Sequence, residues 1–258
     1  MILAIDIGNT NIVVGCIRDD EILFTERMST DSNKTVLEYA VSIKTLLELY
    51  SISPKDLTGS IISSVVPPVT NTIKEALSKI THHHVMVVGP GIKTGMNILM
   101  DNPAATGSDL IVDAVAAIAE YPVPLIIFDF GTATTASVVD KKKNYIGGMI
   151  LPGLRISLDA LTNRTSQLPR ISLKAPKKVL GPNTIDCMTR GILYGNASML
   201  DGIVEHIEEE LGEKATVIAT GGLANLIVPL CKKEIILDDN LLLRGLNLIY
   251  KKNQDGKN

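Results

Sequence analysis

Ile2-Leu3-Ala4-Ile5-Asp6-Ile7-Gly8-Asn9-Thr10-Asn11-Ile12-Val13-Val14-Gly15 decides how this chain is read. Ile2 to Ile7 is apolar apart from Asp6, the pattern of a buried strand. Gly8-Asn9-Thr10 is turn chemistry, and Asn11 to Ile17 is apolar again. The stretch reads as strand, tight turn, strand. A carboxylate at the end of a buried strand is costly unless it has a partner. Gly8 lets a ligand come close to the backbone, and Asn9, Thr10 and Asn11 add donors beside the N–H groups of the turn. Such a concavity suits phosphate oxygens, with Asp6 holding a hydrated Mg²⁺ over them. The plain alternative is an ordinary hairpin with an exposed aspartate, since Gly-Asn turns are common.

The layout returns in Leu125-Ile-Ile-Phe-Asp129-Phe-Gly131-Thr132-Ala-Thr134-Thr135-Ala-Ser-Val-Val-Asp140, again an apolar run, Asp-x-Gly, hydroxyl residues and a second apolar run. Two such turns, one per half, suggest a duplicated unit with a cleft between the copies. Outward from each turn the pattern continues alike. In the first half a third strand (21–28) precedes a helix over Thr35–Tyr50, a strand over 59–66 closed by Pro67-Pro68, a helix over 69–80 and a strand over 85–88. His82-His83-His84 reads as a loop entering that last strand, with a metal site as the lesser alternative. Lys93 to Ala105 is irregular, and Thr106 opens a helix through Glu120. In the second half a third strand (145–151) precedes a helix over 154–162 and a loop to Pro182. A long helix over 184–211 follows, then a strand (215–219), a short helix, a strand (234–237) and a last helix over 240–251. Gly191 and Gly195, four apart on the long helix, leave room for another backbone. The tail from Asn253 to Asn258 is polar and frayed. Each half thus reads as three strands, a helix, a strand, a helix, a strand and a helix: a repeated α/β unit with a mixed sheet. Consecutive hairpins exclude the alternating strand–helix order of a pure dinucleotide-binding fold.

A 45% hydrophobic share supports a full core, and 258 residues make one large domain or two. The net charge of −3 and the lack of a basic stripe argue against a nucleic-acid partner. No apolar run reaches membrane-spanning length, and the first residues already read as a strand, not a leader. Three scattered cysteines, Cys16, Cys187 and Cys231, fit a reducing, cytoplasmic setting.

A nucleoside triphosphate suits a cleft walled by two Asp-x-Gly turns. No G-x-x-x-x-G-K-[ST] occurs, so turn N–H groups and hydroxyls, Thr132 among them, would hold the phosphates. Gly221-Gly222, after a strand and before a helix, leaves room for ribose or adenine; a plain turn is the alternative. Phosphoryl transfer also needs a group to take the acceptor's proton. Asp109 is the candidate, at a helix start where N–H groups attract anions. Thr106-x-x-Asp109 also matches a loose capping box, so a capping role stays open.

Asp6-Ile-Gly8-Asn9-Thr10-Asn11, Asp129-Phe-Gly131-Thr132-Ala133-Thr134 and Gly221-Gly222 together resemble the phosphate and adenosine motifs of the acetate and sugar kinase, heat-shock chaperone and actin superfamily. With Ser63-Ser64-Val-Val-Pro67, Asp101-Asn102-Pro103, Gly147-Gly148-Met-Ile-Leu-Pro152-Gly153 and Asn183-Thr184, the finer resemblance is to type III pantothenate kinase. It implies two repeated ribonuclease-H-like domains of the actin-like ATPase fold, 1–121 and 122–258, with a nucleotide cleft between them, in a homodimer. It implies ATP-dependent phosphorylation of pantothenate with Mg²⁺ and a monovalent cation, K⁺ or NH₄⁺. Carried over by position, Asp6, Ile7, Gly8, Asn9, Thr10, Asn11, Ile12 and Val13 form the ATP loop, joined by Thr132, Gly221 and Gly222. Asp109 is the general base, Asp129 a ligand of the monovalent cation, and Met100, Gly107, Ser108, Asp109, Leu110 and Thr184 meet pantothenate. The chain departs from the family at the acceptor: Gly107-Ser108-Asp109-Leu110 stands for the usual Gly-Ala-Asp-Arg, and Leu99-Met100 for Arg-Tyr. That departure leaves two neighbouring readings open, a kinase of another small hydroxylated acceptor and a low-turnover ATP-binding regulatory subunit.

Overall fold

The computed structural model describes residues 1–254 and forms two compact units, each around its own sheet. The first unit takes Met1–Gly95, Asp101–Ala116 and the chain from Leu241 onward. Its sheet centres on β1 (Ile2–Ile7), which pairs antiparallel with β2 (Asn11–Arg18) and parallel with β4 (Gly59–Ser64). β3 (Glu21–Ser29) and β5 (Val85–Val87) complete the order β3-β2-β1-β4-β5. Alternate residues of β1 point to opposite faces. Leu3, Ile5 and Ile7 join the core cluster with residues of α1 (Val36–Leu49) and α2 (Pro67–Ile80).

Local chemistry sets where these helices begin. Thr35 and Glu38 form a reciprocal cap at the start of α1, with Thr35 N–H donating to Glu38 Oε2 at 2.7 Å. Pro67 and Pro68 do not merely close β4, as the sequence reading has it. They occupy the first turn of α2, where a missing N–H costs nothing. The first turns of α3 (Ser108–Glu120) also belong to this unit. Ahead of β5, the His83 ring shares a hydrogen bond with Ser60 Oγ at 2.8 Å, and burial holds its pKa below the ordinary histidine value.

The second unit takes Met96–Met100 and Ala117–Asn240. Its strands are β6 (Asn97–Ile98), β7 (Leu125–Phe130), β8 (Ala133–Val139), β9 (Asn144–Pro152), β10 (Thr216–Thr220) and β11 (Ile236–Leu237). The order β11-β10-β7-β8-β9-β6 repeats the first sheet strand for strand, with β6 added at the edge. β6 falls in a segment read as irregular. It is a two-residue ladder on β9, supported by Asn97 Nδ2 donating to Asn144 Oδ1 at 3.1 Å, and so short a strand carries no periodicity.

The helices of this unit follow the expected element order, which places two of them before β10 and so does not repeat the first half one for one. Both α4 (Leu154–Arg164) and α5 (Thr184–Leu211) stand between β9 and β10, where the first sheet has one helix at the matching point. α5 opens on Asn183, whose side chain accepts the Asp186 N–H at 2.9 Å, and the short α6 (Ala224–Ile227) follows β10. Gly191 and Gly195 face open space, and no neighbouring backbone fills the room they leave.

The last helix, α7 (Leu241–Gln254), does not stay with the second sheet. It packs on β1 and β4 of the first, so the compact units differ from a division at residue 121. Gly15 and Gly59 make this possible. A Cβ at Gly15 would meet Leu243, and one at Gly59 would overlap the Tyr250 hydroxyl. α7 carries Asn253 and Gln254 of the tail read as frayed; the rest of that tail lies outside the described residues. Among the described residues no helix is long and apolar enough to cross a membrane, and all three cysteines are free.

Candidate active site

In the first unit the carboxyl ends of β1 and β4 lie side by side, with Asp6 opposite Ser63 and Ile7 opposite Ser64. The turn after β1 is closed by Gly8 N–H donating to the Asn11 carbonyl at 3.0 Å. Thr30 staples it from outside: its hydroxyl donates to the Gly8 carbonyl at 2.6 Å and its N–H to the Thr10 carbonyl at 3.0 Å. Asp6 is half-buried, while Asn9, Thr10 and Asn11 are exposed. Ile7 and Ile12 are fully buried in the core, so only their main chain can reach a ligand. Thr30 escapes a sequence reading because it sits beyond a whole hairpin from the turn it holds.

Asp109 lies in the first turn of α3, in the same unit. The capping box expected from Thr106-x-x-Asp109 is not made: the Thr106 hydroxyl is buried with no hydrogen-bond partner. The Asp109 carboxylate instead folds over Gly107 and accepts the Leu110 N–H at 2.9 Å. Burial pushes its pKa up, against the pull of the Leu110 and Asp109 N–H groups. The neighbouring Ser108 hydroxyl is bonded to the end of β4, to the Ser64 main chain and the Ser63 hydroxyl. The first unit therefore gathers the Asp6 turn, the Ser63-Ser64 strand end and the start of α3 carrying Asp109. Gly107 and Leu110, given to pantothenate by the resemblance, sit at that start, and Leu110 is partly buried.

The second unit gathers a different set. Asp129 is the last residue but one of β7, opposite Thr220 of β10 and Thr135 of β8. Its carboxylate is cradled by two glycine turns: a Cβ on Gly131 would stand 3.4 Å from Oδ2, and one on Gly221 would stand 2.5 Å from Oδ1. Gly221 also has φ +93°, a conformation that L side chains rarely adopt. Thr132 and Gly222 are exposed beside this cradle. The oxygen-only donors and the space that a side chain would fill suit a hard cation. Among the described residues, no three His, Cys, Asp or Glu converge as a metal cluster. Met100 and Thr184 also belong to this unit; Thr184 is exposed in the first turn of α5, and Met100 is 38% exposed.

Both sets sit at the carboxyl ends of parallel strands, where open α/β sheets bind ligands. The chemistry they offer is anion binding by turn N–H groups, cation binding by single carboxylates, and proton acceptance by a partly desolvated one.

A model of the type III pantothenate kinase family matches residues 2–206. The type III pantothenate kinase of Halalkalibacterium halodurans is 47% identical over 253 residues, which is 98% of this chain and 100% of that protein. Its counterpart in Brevibacillus brevis is 48% identical over 254 residues, with the same two coverages. Among solved structures, component A of (R)-2-hydroxyglutaryl-CoA dehydratase from Acidaminococcus fermentans matches with a TM-score of 0.58 at 16% identity, over 99% of this chain and 98% of that one. A ROK-family glucokinase from Streptomyces griseus, solved with glucose and AMPPNP, matches with a TM-score of 0.56 at 12% identity, over 98% of this chain and 99% of that one. At these identities the two structures share the fold, which is the actin-like ATPase fold.

Asp109 offers a thermodynamic check. Its raised pKa means that the folded state holds the proton more tightly than the unfolded state does, from the ordinary value of 3.8 up to the raised one. Stability from this group is fully present below that window and is lost as pH rises through it. Asp109→Asn removes the loss, so the variant should melt above the parent at pH 7, and the gain should vanish near about pH 3. A lower melting temperature at pH 7 would assign the carboxylate to helix capping.

Proposed function

The chain belongs to the type III pantothenate kinase family, and on that premise we propose how its residues divide the work. The reaction is ATP-dependent phosphorylation of pantothenate, the entry to coenzyme A synthesis. Asp109 is the general base that takes the proton of the acceptor hydroxyl. The observation that carries this role is its partly desolvated carboxylate, with a raised pKa, beside the strand ends that bear the Asp6 turn. A carboxylate whose pKa moves toward neutrality is a better base at the operating pH.

The turn from Asp6 to Val13 takes the phosphates through its N–H groups and the side chains of Asn9, Thr10 and Asn11. Asp6, half-buried at a strand end, suits a hydrated Mg²⁺. When bound, that ion neutralises charge on the phosphate oxygens. Thr132 binds phosphate, and Gly221-Gly222 gives bare backbone to the nucleoside. The cradle of Asp129 between Gly131 and Gly221 suits a monovalent cation, K⁺ or NH₄⁺. The family resemblance assigns pantothenate contacts to Met100, Gly107, Leu110 and Thr184. Leu110 and Met100 offer apolar contact where the family resemblance implies the polar donors of Arg and Tyr.

A homodimer belongs to the same reading. Ile150 of β9 is 80% exposed and Leu180 85% exposed, and Met149 and Ile185 are exposed as well. Large apolar side chains left open in one unit mark a surface that another copy covers.

Steady-state kinetics test the base. Asp109→Asn should lower kcat by about 10²–10⁴-fold; a variant within a few-fold of the parent would end that assignment. The cation role predicts faster turnover in K⁺ or NH₄⁺ than in Na⁺ at equal ionic strength, and equal rates with all three would remove it. For the dimer, Ile150→Asp should shift the sedimentation coefficient from dimer to monomer. A parent protein that already sediments as a monomer would contradict this part of the reading.

A further inference from the structure

Ser108 is adjacent to Asp109 in the chain and is the first residue of α3. A serine hydroxyl has one proton to give and two lone pairs to receive. In this structure all three are taken. Ser108 Oγ donates to the Ser64 carbonyl at 3.1 Å and accepts the Ser64 N–H at 3.0 Å. It also accepts the Ser63 hydroxyl, at 3.0 Å. One side chain thus meets both main-chain groups of the last residue of β4, as a neighbouring strand would. That leaves the hydroxyl no hydrogen-bonding capacity for pantothenate.

The partners of Ser108 are themselves fixed. Ser63 and Ser64 lie opposite Asp6 and Ile7 across the β1–β4 pair, and Val65 N–H donates to the Ile7 carbonyl at 3.1 Å. Ser64 Oγ accepts from Thr70 of α2 at 2.6 Å and from the Val66 N–H at 3.0 Å. Ser63 is fully buried. Any movement of Ser108 therefore breaks bonds to a strand end that is immobilised from two further sides.

We propose that Ser108 is a positioning residue. It bolts the first turn of α3, and with it the Asp109 carboxylate, to the strand ends that carry Asp6. The proton acceptor and the phosphate turn are thereby held in one rigid frame. This rests on the reading of Asp109 as general base. Alanine in its place could make none of the three bonds.

The test compares Ser108→Ala, Ser108→Thr and Asp109→Asn in the full-length protein, with steady-state rates at varied pantothenate and ATP and a thermal melt of each. Misplacing a catalytic group by a fraction of an ångström costs rate without costing affinity. Ser108→Ala should therefore lose about 10-fold or more in kcat, with both KM values changed by less than about twofold. Ser108→Thr, which keeps the hydroxyl, should retain most of the rate. A raised pantothenate KM at unchanged kcat in Ser108→Ala would make Ser108 an acceptor contact and overturn the proposal. A lower melting temperature with unchanged kinetics would make it structural only and equally overturn it. So would a rate loss in Ser108→Thr as large as in Ser108→Ala. If Asp109→Asn is inactive while Ser108→Ala is unaffected, only the bolt is lost. If Asp109→Asn stays fully active, the base reading fails and takes the bolt with it.

Discussion

The parallel pairing of β1 with β4 is the constraint on which the first unit depends. Its register runs from Ile2 opposite Gly59 to Ile7 opposite Ser64, so both strands end at the same level. Parallel strands need a long crossover, here through β2, β3 and α1. What that costs in chain it returns in geometry: two strand ends, remote in sequence, open their polar residues at one edge. Asp6 arrives on one strand, Ser63 and Ser64 on the other, and the hydroxyl of Ser108 then draws α3 to the same place. In the second unit β7 and β10 do likewise, bringing Asp129 and Thr220 level and setting the Gly131 and Gly221 turns on either side of a carboxylate.

Each carboxylate at these edges is a local compromise between burial and charge. Asp109 gives up water on most sides and receives only main-chain N–H groups in return, so its proton is held more tightly than in solvent. A core built for stability alone would place an apolar residue or an exposed one there. Most hydroxyls nearby are satisfied more fully, the Thr106 hydroxyl excepted. Ser60 has His83, Ser64 has Thr70 and Val66, and Ser108 has three partners. These hydroxyls tie the strand ends to α2 and α3, while Asp109 keeps a proton more tightly than it would in water.

Much of this was legible along the chain, because the signals are local. Apolar runs broken by Asp-x-Gly located β1, β2, β7 and β8 and the turns between them. Amphipathic spacing located α1. The double motif pointed to a repeated sheet, and the shared strand order bears that out. What stayed hidden is what depends on contacts between distant segments. Thr30 holds a turn some twenty residues earlier in the chain. Thr106 and Asp109 have the spacing of a capping box, yet the helix begins at Ser108 and the threonine goes unused. Ser63-Ser64 could be seen as a motif, but the hydroxyl from the start of α3 that meets it could not.

The return of α7 to the first sheet has a consequence for how the protein is made. Gly15 and Gly59 leave hollows on one face of that sheet, and Leu243 and Tyr250 are the side chains that fill them. Those side chains leave the ribosome only after the whole second sheet has been synthesised. Until then β1 and β4 present an apolar face to water, while the second unit already has every strand it needs. The half translated first is the half completed last, and the nascent chain carries the Gly8 turn on a sheet whose hollows at Gly15 and Gly59 wait for α7.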